Sequence, residues 1–68
     1  MTKRMSKTLA TELADRTLTV VNPQNRSIAL DAALRRHGFA PLAAAPPSEL
    51  LDRTRLVAWL LSTYAAQG

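Results

Sequence analysis

At 68 residues the chain has room for one domain, and a polypeptide of this size hides only about 60% of the surface it exposes when unfolded. Nine Lys and Arg against five Asp and Glu leave a net charge of +4, and 47% apolar residues is the composition of a chain that folds, alone or on a partner. No Cys, a single His and two widely separated glycines exclude a disulfide staple, a structural zinc site, a thiol or paired-His centre and a Gly-rich phosphate loop. The reading is therefore non-enzymatic, with no catalytic residues, cofactor or metal.

Twelve of the apolar residues are Ala, so a single thin core is available and association is expected to stabilise it. The longest apolar stretch, around Leu56–Leu61, is far short of a membrane span, which needs about 20 residues. Thr11, Glu12, Asp15 and Arg16 interrupt any apolar signal region after the basic start, so a cytoplasmic protein with no membrane partner is expected.

In chain order, residues 1–7 read as a basic N-terminal arm and 8–68 as one helical domain. Lys3, Arg4 and Lys7 concentrate charge in the arm, and the remainder is nearly neutral. Positive charge ahead of a helix start opposes the helix dipole, so these three residues are either a solubilising tail or an electrostatic arm for phosphate or an acidic protein surface. The first helix is expected from about Ser6 or Lys7, with Ser6 or Thr8 as cap and a stripe through Leu9, Leu13, Thr17 and Val20 flanked by Ala10, Ala14, Leu18 and Val21. Residues 17–21 are rich in β-branched side chains and alternate polar with apolar, leaving a short strand as the competing reading.

The second helix, from about Pro23 to His37, has the best punctuation. Asn22 suits the N-cap, Pro23 the first helical position, and Arg35, Arg36 and His37 the negative end of the dipole. Gly38 followed by Phe39, which can pack back on Leu34, matches a Schellman ending. Ala29, Leu30, Ala33 and Leu34 form its apolar stripe, with Ile28 and Ala32 nearly opposite, so this helix is expected to touch two neighbours. The uncharged connector 39–47 carries three prolines and is expected to lie on the core as an extended strap.

A third helix, the longest, is expected from Ser48 to about Ala66, with Glu49 and Asp52 near its positive end. At 100° per residue, as about 3.6 residues per turn implies, Leu50, Leu51, Thr54, Val57, Ala58, Leu60, Leu61, Tyr64 and Ala65 share a broad arc. Leu56 falls at its edge, Arg53 within it as a snorkelling side chain, and Trp59 outside it. Trp59 lies between Arg55 one turn before and Thr63 one turn after, and these three are the candidate partner-binding residues. The plainer alternative is a Trp at the core's edge with Arg55 stacked on it.

A helix-turn-helix across residues 30–45 fails because its recognition helix would run through Ala-Pro-Pro. Over about fifty residues the pattern partly resembles a ribbon-helix-helix dimer, with Thr17–Val21 as strand, Asn25–His37 as first helix and Ser48–Ala66 as second. That resemblance implies a dimeric DNA-binding regulator reading the major groove through Arg16 or Thr17 and Thr19. The connector is longer than such folds show, and the strand lacks base-reading side chains. The preferred expectation is an all-α, three-helix domain, dimeric, with its long C-terminal helix as central packing element. It would regulate, inhibit or adapt another protein by contact and bind a second copy of itself, with nucleic acid as an accessory partner of the arm.

Overall fold

A computed structural model describes residues 4–65, and in them the chain is all-helical. Three helices, α1 (Lys7–Leu18), α2 (Pro23–Arg36) and α3 (Arg53–Thr63), are joined by a four-residue turn and by a long connector ending in one turn of 3-10 helix, Glu49–Leu51. None of these helices is long and apolar enough to cross a membrane.

α1 starts where the Ser6 hydroxyl accepts the Leu9 N–H at 3.1 Å, the capping interaction that short hydroxyl side chains favour. Ala10, Leu13, Ala14 and Thr17 are buried, the i, i+3, i+4, i+7 spacing of one helix face. The strand alternative for residues 17–21 is not realised: α1 continues through Leu18, Thr19 stays in the right-handed helical region, and the Val20 N–H still bonds the Thr17 carbonyl. The Thr19 hydroxyl donates to the Arg16 carbonyl at 2.6 Å, so β-branched Thr here finishes a helix. Because the chain turns after Leu18, Val21 does not join the stripe and is 91% exposed.

α2 obeys its punctuation. The Asn22 Oδ1 accepts the Gln24 N–H at 3.0 Å, Pro23 occupies the first turn, and Leu30 and Leu34 are buried. At the other end the Phe39 N–H bonds the Leu34 carbonyl at 2.8 Å and the Gly38 N–H bonds the Arg35 carbonyl at 3.0 Å. Gly38 has φ 83°, the left-handed conformation that a side chain would strain, and the two bonds complete a Schellman ending. Phe39 is thereby turned into the core.

The third helix departs from expectation: residues 48–66 are not one continuous helix. Asp52 adopts an extended backbone, its carboxylate accepts the Arg55 N–H at 3.2 Å, and it caps a separate α3. Asp favours this local bond over a helix interior, which divides the segment into the 3-10 turn and an 11-residue helix shorter than α2. The break also resets the phase. Leu56 and Leu60 are fully buried and Tyr64 follows them, while Leu51, Thr54 and Ala58 are exposed, so Leu56 moves from the edge of the apolar face to its middle. Arg53 is an ion-pair partner of Asp15 on α1 at 2.5 Å, in place of the snorkelling role read from its position.

α1 packs against both α2 and α3. The core comprises Met5, Leu13, Leu30, Leu34, Phe39, Leu50, Leu56, Leu60 and Tyr64, with Ala10 and Ala14 allowing close helix approach. Tyr64 ties the connector and the N-terminal stretch to the end of α3. Its ring meets Phe39 edge-to-face at 5.6 Å and Trp59 at 6.3 Å, its hydroxyl accepts the Leu42 N–H at 3.2 Å, and its carbonyl accepts the Met5 N–H at 3.2 Å. The connector is therefore held at Phe39, at the Leu42 amide and at half-buried Ala45, while Leu42, Ala43 and Ala44 face solvent.

Among the described residues, one buried side-chain polar atom lacks a partner: the Thr17 hydroxyl. Thr17→Val, nearly isosteric, should stabilise the fold by about 1 kcal/mol by removing an unsatisfied group, whereas Gly38→Ala should cost about 1 to 2 kcal/mol through left-handed strain. Denaturant midpoints at fixed protein concentration check both signs.

Candidate functional site

The αα-hairpin of α1 and α2 places the end of α1 beside the start of α2, and Arg26 locks that junction. Its Nε donates to the Val20 carbonyl at 2.9 Å, one terminal nitrogen to the Leu50 carbonyl at 2.9 Å and the other to the Leu18 carbonyl at 3.5 Å. These carbonyls end or follow α1 or lie in the 3-10 turn, where a chain end leaves acceptors without helical donors. A guanidinium fork can serve all three; an ammonium would not.

Beside this clamp lies an open apolar groove of about 380 Å³, lined by Pro23, Gln24, Ser27, Ala45, Pro47, Leu50 and Leu51. Three elements build it: the first turns of α2, the last part of the connector and the 3-10 turn. Pro46 and Pro47 keep the connector wall from forming regular structure, and the Asp52 break turns Leu51 outward at 63% exposure. Val21 at 91% and Ile28 at 69% exposure lie in the turn before α2 and one turn along it from Gln24. Three of the four large apolar side chains left exposed among the described residues thus belong to this groove or to the segment beside it. Exposed apolar surface combined with concavity marks a contact site more strongly than isolated apolar side chains do.

Charge at this end is mixed: Glu49 and Asp52 accompany Arg26 and Arg53. The hydrogen bond from Arg53 to Asp15, and then the carboxylate's charge, raise the guanidinium pKa above its ordinary value. The pair is solvent-exposed and connects α3 to α1.

The residues singled out from sequence fall elsewhere. Arg55 is exposed, Trp59 half-buried and Thr63 half-buried, along one flank of α3. Trp59 packs against the core and its ring meets Tyr64, so much of the indole is engaged within its own chain. Arg4 and Lys7 are exposed at the start of α1, but Met5 between them is buried and its amide bonded to Tyr64, which anchors the described part of the arm. Lys3 lies outside the described residues. Arg26 and the groove escaped sequence reading; the available signals were Ile28 off the main stripe of α2 and the uncharged proline connector. Compared with known protein families, with characterised proteins and with solved structures, the chain shows no match.

Arg26→Met should lower stability by about 2 kcal/mol, since it leaves part-buried carbonyls without their charged donor. Arg26→Lys should recover less than half of that loss. Thermal or denaturant unfolding of both variants checks the clamp, and equal stability of the Lys variant and the parent would contradict it.

Proposed function

We propose that the chain is a small non-enzymatic binding protein, a regulator, inhibitor or adaptor, that acts by protein contact through the groove and joins a second copy of itself there. The observation that carries this reading is Leu51: a large apolar side chain held outside by the Asp52 break, at the lip of an apolar groove. A symmetric dimer requires a surface complementary to itself, and here a concavity and projecting side chains, Val21, Ile28 and Leu51, sit on one region of one chain. The mixed charges around it let two copies approach without the like-charge repulsion that the opposite, basic end would impose.

In that dimer the C-terminal segment becomes the central packing element. Leu56, Leu60 and Tyr64 face their own chain, while Leu51 enters the groove of the partner. The flank carrying Arg55, Trp59 and Thr63 is then a secondary contact, because Trp59 is partly committed to Tyr64. Occupation of the groove by an apolar segment of another protein would compete with self-association, which makes the dimer a natural form of regulation.

Light scattering or sedimentation over a wide concentration range tests this. The parent chain should shift from monomer to dimer, Leu51→Glu should remain monomeric at every concentration, and Arg55→Ala should shift the midpoint by less than tenfold. A parent chain of constant monomer mass, or a Leu51→Glu variant that dimerises like the parent, would overturn the groove as interface.

A further inference from the structure

We propose that the end of the molecule opposite the groove, where α1 begins and α2 ends, binds the phosphate backbone of nucleic acid. Hairpin topology assembles it: Arg4 and Lys7 stand at the start of α1, and Arg35 and Arg36 in the last turn of the antiparallel α2. Tyr64 fixes both chain segments at this end, since its carbonyl holds Met5, between Arg4 and Lys7, and its ring holds Phe39, just past Arg36. Two basic stretches well apart in sequence are thereby brought to one end of the molecule.

All four side chains are exposed. Among the described residues the ion pairs are Arg16 with Glu12 and Arg53 with Asp15, so none of these four cations is neutralised that way. Asp31, one turn before Arg35, does not pair with it. Arg35 and Arg36 suit the negative end of α2, but Lys7 and Arg4 oppose the dipole of α1, whose first turn holds no acidic residue. Gathering like charges at one end costs repulsion that an external polyanion would relieve.

The chemistry favours nucleic acid over an acidic protein. Three of the four cations are guanidinium groups, whose fork matches phosphate oxygens, and a duplex offers one negative charge per about 1.7 Å of axis, so no particular register is needed. A protein interface is organised around apolar anchors, and of the exposed large apolar side chains only Leu42, tied by its amide to Tyr64, lies toward this end.

Fluorescence anisotropy with the whole chain and a short labelled DNA duplex of arbitrary sequence, titrated at several salt concentrations, tests the proposal. Four phosphate contacts give a slope of log affinity on log salt of about −3 to −4. Arg35→Gln with Arg36→Gln should reduce its magnitude by about 2, and Arg4→Gln with Lys7→Gln by a similar amount. Arg35→Lys with Arg36→Lys, which keeps the charge and guards against a folding artefact, should retain most of it. Arg16→Gln removes a charge away from this end and should leave the slope unchanged. Absence of binding at low salt, or equal effects of Arg16→Gln and Arg35→Gln, would overturn the proposal. Polyglutamate that displaces the duplex at equal charge concentration would overturn it in favour of an acidic protein.

Discussion

The fold depends on one buried residue that, through side chain and backbone, reaches segments the thin core could not otherwise hold. Tyr64 is fully buried; its ring and hydroxyl hold the connector at Phe39 and Leu42, and its carbonyl holds Met5. The need is plain from the connector. Three prolines remove amide donors from it, and its many alanines contribute little burial, so a few anchors must fix its path. The phenol supplies one: placing that hydroxyl in the core without a partner would be costly, and the Leu42 N–H satisfies it. Phe39, delivered to the same point by the left-handed turn at Gly38, makes the contact edge-to-face. A local helix ending and a long-range aromatic pair thus reinforce each other.

Arg26 performs the corresponding task at the other end, with different consequences. Where Tyr64 closes its end with apolar packing, Arg26 joins carbonyls of α1 and the 3-10 turn through polar bonds and leaves the adjacent groove open. The molecule is consequently asymmetric. One end is packed around Tyr64 and carries exposed basic side chains; the other is concave, apolar and mixed in charge. This asymmetry underlies both proposals, protein contact through the groove and phosphate contact through the basic end, and it lets the two operate without competing for one surface.

What could be read from sequence was local. Asn22-Pro23 and Gly38-Phe39 specify the ends of α2 because cap, proline and left-handed residue act within a few positions. The third helix was harder. Leu50 and Leu51 continue the apolar spacing of Leu56 and Leu60 closely enough that Asp52 looks like a dipole-compatible residue inside one helix, whereas its carboxylate ends one element and starts another. That single break rotates the buried face, which brings Leu56 to its centre and Trp59 against it. Arg26 was beyond sequence reasoning for a different reason: its acceptors are backbone carbonyls, and one of them is 24 residues away. The groove is likewise a product of three separate segments, and the shared basic end exists only because α1 and α2 are antiparallel.

Amide hydrogen exchange of the intact chain tests the fastening role of Tyr64 most directly. Met5, Phe39 and Leu42 donate to acceptors within that junction or at its edge, and the account predicts that all three exchange slowly and at rates set by global unfolding. Protection confined to Phe39, with Met5 and Leu42 exchanging as freely as solvent-exposed amides, would show that the helix ending stands alone and that Tyr64 does not hold the ends of the chain together.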